Sequence, residues 1–150
     1  MASTSAESTP RPLQPHYAVG MNTALSAAIG GALGIGTDML AEQGPPKQRA
    51  MILAGGLVVA AAIYPIARRN RKLGAPLARE IAGVVASGAI VTVAAQSTPS
   101  KARNVVAAGW AAHAVFDMVH DGGPDSLVPS WYPAMCAGYD LAVAGRLVTP

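Results

Sequence analysis

The sequence predicts an all-α integral membrane bundle of about five short transmembrane helices. Hydrophobic residues make up 51% of the 150-residue chain and charged residues only 13%, about half of the ~25% that is usual in soluble domains. The apolar residues form long stretches without a charge, and Gly, Pro and basic residues are concentrated between them. This distribution is typical of a protein whose surface faces lipid.

Three stretches contain no charged residue and are predicted to cross the membrane. They are Tyr17–Thr37, Ala50–Ala67 and Ile81–Ser100. Each approaches the ~20 residues that an α-helix needs to cross about 30 Å of hydrocarbon. They are rich in Ala, Gly and Val, which allow helices to pack closely in a bilayer.

Two further stretches, 104–120 and 131–148, are apolar but contain ionisable residues. A soluble amphipathic helix would carry many more charges on its outer face. We therefore predict that both stretches also span the membrane, and that the short loop between them makes them antiparallel neighbours. Their ionisable residues include His113, Asp117, Asp140 and Arg146.

The predicted transmembrane domain covers residues 17–150, and the Ser-, Thr- and Pro-rich residues 1–16 are predicted to be a disordered tail. The tail lacks the basic start and apolar core of a signal peptide. Basic residues are most frequent between Arg68 and Arg79, which by a narrow margin places this loop in the cytoplasm. The net charge of +3 is divided among short loop clusters, so nucleic acid is not an expected partner.

Small residues recur at helical spacing within two of the predicted spans. Gly30 and Gly34 lie one turn apart, as do Gly83 and Ser87. Such pairs are typical of close helix packing. A homodimer formed through these faces is a further expectation, whereas a phosphate-binding loop is not expected, because no strand precedes these glycines.

The chemically informative residues lie in the last third of the chain. His113, Asp117 and His120 have the i, i+4, i+7 spacing of one helical face. Counted from the intervening loop at 1.5 Å per residue, Asp140 lies at a depth similar to that of His113. An ionisable side chain at the bilayer centre costs about 2.5–3.5 kcal/mol. We therefore expect these side chains to face one another, in a cluster of His113, Asp117 and Asp140 with Tyr139 nearby.

Four residues are expected to contact a substrate beside this cluster: His120, Tyr139, Asn22 and Trp110. The same depth count places Asn22 and Glu80 near the membrane side of His120. Glu80 is interpreted mainly as a carboxylate near a helix N-terminus, which the helix dipole favours. Asp38 is interpreted as a charge at a helix end on the opposite side.

The pattern across the last two predicted helices resembles a known group of proteins. It comprises His113-x-x-x-Asp117-x-x-His120, then Pro129-Ser-Trp131-Tyr132-Pro133, then Cys136-x-x-Tyr139-Asp140. This pattern resembles a group of small uncharacterised multi-pass membrane proteins of bacteria and fungi. It also resembles the small membrane epoxide hydrolases and cyclases of fungal polyketide pathways. The resemblance covers about forty residues, Trp110 to Gly145, and implies opening of epoxides in a hydrophobic polyketide-like or terpenoid-like substrate.

Epoxide opening requires an acid that protonates the leaving oxygen and a base that activates water or a substrate hydroxyl. Two carboxyl groups in different environments can divide these roles. The expected catalytic residues are Asp117 as base and Asp140 as acid, with His113 holding or tuning one of them, and the reverse assignment stays open. No organic cofactor is expected, because no nucleotide- or flavin-binding motif is present, and no metal is expected, because no closed Cys/His motif supports one.

Three other functions are consistent with the same residues. Two His and two carboxylates could bind a divalent metal ion. Intramembrane His and Asp also serve as proton relays in transporters. Alternatively, the residues could form a buried hydrogen-bonded network that only holds the helices together, since buried polar groups require partners in any case.

Overall fold

The computed structural model describes residues 16–120 and 122–149, and side chains from residue 22 onward. The predicted tail, apart from His16, lies outside these residues. In the described part the chain forms five α-helices and no β-strand, with one isolated bridge between Arg68 and Ser126. The all-α prediction is confirmed. The helices are α1 (His16–Ala41), α2 (Pro46–Ile66), α3 (Ala75–Gln96), α4 (Pro99–Val119) and α5 (Tyr132–Val148).

Prolines mark the start of the helices after α1. α2, α3, α4 and α5 each carry Pro at the first or second helical position, where its missing N–H costs nothing. The Thr98 side chain also accepts a hydrogen bond from the Lys101 backbone at the start of α4. Because α2, α3 and α4 begin earlier than predicted, the basic residues Lys47, Arg49 and Arg79 lie inside helices and not in loops.

The helices pack in an order that differs from their order in the chain. α1 packs most extensively against α5 and touches α2 only sparsely. α4 packs against α5, as predicted, and also against α2 and α3. Small side chains dominate the core, with Trp110 as its largest fully buried member.

Two glycines allow α1 and α5 to approach each other closely. A Cβ atom at Gly30 would lie 1.8 Å from the carbonyl oxygen of Met135, and one at Gly138 would lie 2.0 Å from that of Ala27. Only glycine fits at such an approach. The packing role predicted for Gly30 and Gly34 is therefore confirmed, and the partner is α5 of the same chain. This face of α1 is consequently occupied within the monomer.

The outer surface of the described residues is largely apolar. Every helix exposes large hydrophobic side chains, such as Leu40, Val59, Val85, Met118 and Leu141. Three helical stretches are long and apolar enough to cross a membrane, namely Asn22–Ala41, Pro46–Ile66 and Ala75–Gln96. The structure therefore indicates a membrane protein. α5 has only 17 residues and α4 is less apolar than these three helices, so neither is among them.

Ion pairs join α1, α2 and α5 at the end of the bundle opposite the α4–α5 loop. Asp38 is fully buried, and its carboxylate accepts hydrogen bonds of 2.8 Å from both Arg49 and Arg146. Glu42 also contacts both arginines. Asp38 thus lies in the last turn of α1, at the helix end and on the side predicted for it, and its carboxylate is directed toward α2 and α5.

Candidate active site

Three ionisable side chains meet inside the bundle where α4 packs against α5. His113 Nδ1 lies 2.8 Å from Asp140 Oδ2 and 3.5 Å from Asp117 Oδ2. All three residues are buried, and one potential ligand atom from each lies within 4.8 Å of the others. His113 and Asp117 share the helical face that an i, i+4 spacing creates. The structure thus brings together the three residues that the sequence predicts to be catalytic.

A fourth side chain reaches this position from α2. The Tyr64 hydroxyl donates a 2.7 Å hydrogen bond to Asp117 Oδ1. Sequence reasoning missed Tyr64, because it lies in an apolar stretch that carries no other polar group. Its depth was the available signal, since it lies close to the loop end of α2, on the membrane side predicted for His120. Tyr64, His113, Asp117 and Asp140 are called the groove cluster below.

An apolar groove borders the cluster on one side. Its volume is about 410 Å³, within the range of about 300–1,000 Å³ that is common for small-molecule sites. α1, α2 and α5 form its walls, and Asp140 is the carboxylate among its lining residues. An otherwise apolar site with a buried carboxyl in its wall can bind a lipophilic molecule and orient one polar group of it.

Two of the four expected substrate-contacting residues line this groove. Trp110 is 1% exposed and donates from its indole nitrogen to the Leu53 carbonyl oxygen over 3.2 Å. Its ring centroid lies 5.4 Å from that of Tyr139, and both side chains border the cavity. The indole hydrogen bond fixes the ring plane, so Trp110 presents a rigid apolar surface to the groove.

The third expected substrate-contacting residue, His120, belongs to a different cluster. His120 Nε2 lies 2.9 Å from Glu80 Oε1, and Glu80 accepts hydrogen bonds of 2.6 and 2.9 Å from Arg68. Arg68 also donates to the Gly122 carbonyl oxygen over 2.9 Å. The hydrogen bond with Glu80 raises the pKa of Arg68 above its usual value. Arg68, Glu80 and His120 are called the loop cluster below.

The loop cluster corrects two expectations. His120 is not among the residues that line the groove, because its ring stacks on Phe116 with centroids 4.5 Å apart and is directed at α3. Glu80 does not lie in the first turn of its helix, because α3 begins at Ala75. Its carboxylate is 1% exposed and is held by Arg68, so its neutralising partner is a side chain and not the helix dipole.

Asn22 also lies away from the groove. Gly30 is the first residue of α1 that lines the groove, and Asn22, about two helical turns before it, is exposed. Asn22 instead borders a separate cavity of about 360 Å³ beside Trp131. The expectation that Asn22 contacts a substrate in the same cavity as Asp140 is therefore wrong.

No known family model, curated protein or solved structure matches this chain. The similarity of residues 110–145 to membrane epoxide hydrolases thus remains a resemblance between residue patterns, and the geometry of the site is the main guide to its chemistry.

The groove cluster contains two carboxyl groups but only one imidazole. With every group ionised, one imidazolium would face two carboxylates, and an uncompensated charge in an apolar interior is costly. Asp117 Oδ2 and His113 Nε2 have no hydrogen-bond partner among the described residues. The cluster therefore has unused capacity to accept or donate a hydrogen bond, which acid–base catalysis and metal binding both require.

Proposed function

We propose that this protein is a multi-pass membrane enzyme that opens epoxides in a lipophilic substrate by acid–base catalysis without an organic cofactor. One observation carries the proposal: a carboxyl group in the wall of an apolar groove is hydrogen-bonded to a histidine that also contacts a second carboxylate. Such a site offers both a proton donor and a proton acceptor to a molecule that would enter from lipid.

All five helices cross the membrane in this proposal. The charges of α4 and α5 near the groove are directed inward, whereas Val115, Met118 and Leu141 point outward, each at least half exposed. The basic residue Arg146 near the end of α5 is paired with Asp38 and Glu42. With these charges paired or buried, this part of both helices presents an apolar surface to lipid. The remaining charges of α4, Lys101 and Arg103, lie within its first five residues, at the helix end.

The structure supports Asp140 as the acid and Asp117 as the base. Asp140 lines the groove and donates a proton to the epoxide oxygen as the carbon–oxygen bond breaks. The oxygen of water, or of a hydroxyl in the substrate, forms the new bond to that carbon. Its proton passes to Asp117, whose Oδ2 lies 3.5 Å from His113 Nδ1 and lacks a hydrogen-bond partner among the described residues. The product is a diol with water and a cyclic ether with a substrate hydroxyl.

His113 returns the proton to its starting point. Its Nδ1 lies within 3.5 Å of an oxygen of each carboxyl group, so a proton taken up by Asp117 can reach Asp140 through this one nitrogen. Tyr64 holds the other oxygen of Asp117 and thereby leaves Oδ2 to act as the base. Tyr64 is a positioning residue in this scheme.

The proposal is tested with a long-chain 4,5-epoxy alcohol, which can yield either the diol or the cyclic ether. Purified protein in bilayers should convert it, and Asp140→Asn and Asp117→Asn should each reduce turnover by about 10²–10⁴-fold. Glu80→Gln is the matched control, since it removes a buried carboxylate of the loop cluster, and its turnover per folded molecule should be unchanged. Equal turnover in the parent and both Asp variants contradicts the proposal.

A divalent metal site is the second candidate, because His113, Asp117 and Asp140 bring one potential ligand atom each within 4.8 Å of one another. A nitrogen and two carboxylate oxygens suit several divalent ions. Metal analysis of protein purified without chelator distinguishes the two functions. A stoichiometric ion that is lost in His113→Gln and Asp140→Asn supports the metal site, whereas metal-free protein with full turnover excludes it.

A further inference from the structure

The groove runs parallel to the helices. On α2 it is lined at Gly56, Val59 and Ile63, and on α5 at Cys136 and Tyr139. Gly56 and Ile63 are two turns apart, so the groove extends about 10 Å along the helix axis. Its long axis therefore has the orientation of a lipid acyl chain beside a membrane-spanning helix.

The groove opens at the apolar perimeter between α1 and α2. α1 packs on α5 and leaves α2 largely uncovered on this side. Leu33 of α1 and Val59 of α2 form opposite rims, and they are 54% and 66% exposed. α2 is one of the helices long and apolar enough to span a membrane, so in a bilayer this opening faces hydrocarbon.

Gly56 sets the depth of the groove at Trp110. A Cβ atom at Gly56 would lie 3.5 Å from the Trp110 ring, which is ordinary contact, and any larger side chain would project into the groove. Gly55, its neighbour on the same helix, is exposed and would place a Cβ with no described atom within 4 Å. A side chain at Gly56 would therefore project into the groove, whereas a side chain at Gly55 would project away from it.

We infer that the groove takes up an elongated lipophilic molecule directly from the bilayer, through the gap between α1 and α2. The absence of a side chain at Gly56 keeps the groove open to this molecule beside Trp110. The inference rests on the proposed function for the identity of the polar group at Asp140, and it names the substrate class as a narrow alkyl or polyene chain aligned with the acyl chains. The molecule enters laterally from the lipid and places its oxygen-containing group beside Asp140 in the wall of the groove.

Tryptophan fluorescence tests this access independently of catalysis. The chain has two tryptophans, so Trp131→Phe leaves Trp110 in the groove as the single reporter. The probe is an alkyl epoxide with a terminal bromine, partitioned into phosphatidylcholine vesicles that contain the protein, because bromine quenches an indole that it contacts. Quenching should saturate, and Gly56→Leu should shift the half-saturating concentration at least tenfold while Gly55→Leu leaves it unchanged.

Leu33→Phe is a second obstruction that does not disturb the core, because the side chain lies on an exposed rim. It should weaken quenching in the same direction as Gly56→Leu. Unsaturable quenching in the parent, or equal curves for Gly55→Leu and Gly56→Leu together with an unaffected Leu33→Phe, overturns the inference.

The quenching assay separates this inference from the proposed reaction. Asp140→Asn should lose turnover but keep saturable quenching. Saturable, Gly56-dependent quenching without turnover of the epoxy alcohol would retain the groove and reject the epoxide chemistry. Equal turnover in Gly55→Leu and Gly56→Leu, without saturable quenching, would retain the epoxide chemistry and reject the groove as the route of access.

Discussion

The groove cluster and the loop cluster are both built from histidine and carboxylate side chains buried in the bundle, yet they differ in charge balance. In the loop cluster, Arg68 donates two hydrogen bonds to the Glu80 carboxylate, and His120 contacts the same carboxylate. In the groove cluster, His113 alone faces two carboxyl groups and no arginine is present among its described contacts.

This difference indicates which cluster stabilises the fold and which is available for chemistry. The loop cluster also holds the α4–α5 loop, since Arg68 binds Gly122 and the neighbouring backbone pairs Arg69 with Asp125. Its charged groups are therefore paired within the protein, and of its buried side-chain atoms only His120 Nδ1 lacks a hydrogen-bond partner among the described residues. The groove cluster borders a cavity at Asp140, and its second carboxyl group has no basic partner besides His113, as expected of a site whose partners arrive with a substrate.

The largest expected effect on stability is that of Glu80→Gln. It removes the charge that neutralises buried Arg68, and breaking a buried ion pair costs about 3–5 kcal/mol. We expect about 3 kcal/mol, the lower value, because Arg68 lies near the end of the bundle. The free energy of unfolding in mild detergent measures it.

Two variants serve as controls for that measurement. Glu42→Gln removes a carboxylate that is half exposed and should cost under about 1 kcal/mol. The double variant Glu80→Leu with Arg68→Met removes both buried charges and should recover most of the loss. A Glu80→Gln variant as stable as Glu42→Gln would show that the loop cluster is not the structural one.

Tyr64→Phe should have an intermediate effect. It removes one buried hydrogen bond to Asp117, worth about 1 kcal/mol of unfolding free energy. Turnover should fall about tenfold through a lower kcat with little change in KM, because Tyr64 orients the base and does not line the groove. A higher KM with an unchanged kcat would contradict this positioning role.

Asp140→Asn should have the smallest effect on stability, within about 1 kcal/mol of the parent and of either sign. The substitution relieves the opposition of two carboxyl groups and keeps a hydrogen-bonding side chain beside His113. Thermal unfolding of Asp140→Asn and Glu80→Gln, measured side by side, compares two isosteric changes. If Asp140→Asn is the more damaging, the functional distinction between the clusters fails.

Much of the fold and the centre of the site could be predicted from the sequence. Three helices follow from charge-free stretches, two from apolar stretches with few ionisable residues, and turns rich in Gly and Pro separate them. The meeting of His113, Asp117 and Asp140 follows from helical spacing and depth below one loop. These properties depend on neighbours in the chain or on a pair of helices joined by a short connection.

The unpredicted features depend on which distant helices pack together. Nothing in the local pattern shows that α1 packs on α5, which buries Asp38 against Arg146. The pairing of Arg68 with Glu80 was missed because both residues looked like loop or helix-end charges. Tyr64 was missed because a single hydroxyl in an apolar stretch becomes informative only when α2 is placed beside α4.

The close contact of α1 with α5 has a consequence for biosynthesis. In the proposed multi-pass topology, α1 enters the membrane early and waits there until α2, α3 and α4 have been made and its partner α5 exists. During this interval the face with Gly30 and Gly34 is open to the acyl chains or to other helices. Truncation before α5 should therefore leave α1 as a substrate for membrane quality control, and assembly of the whole bundle should be limited by the arrival of Tyr132–Val148.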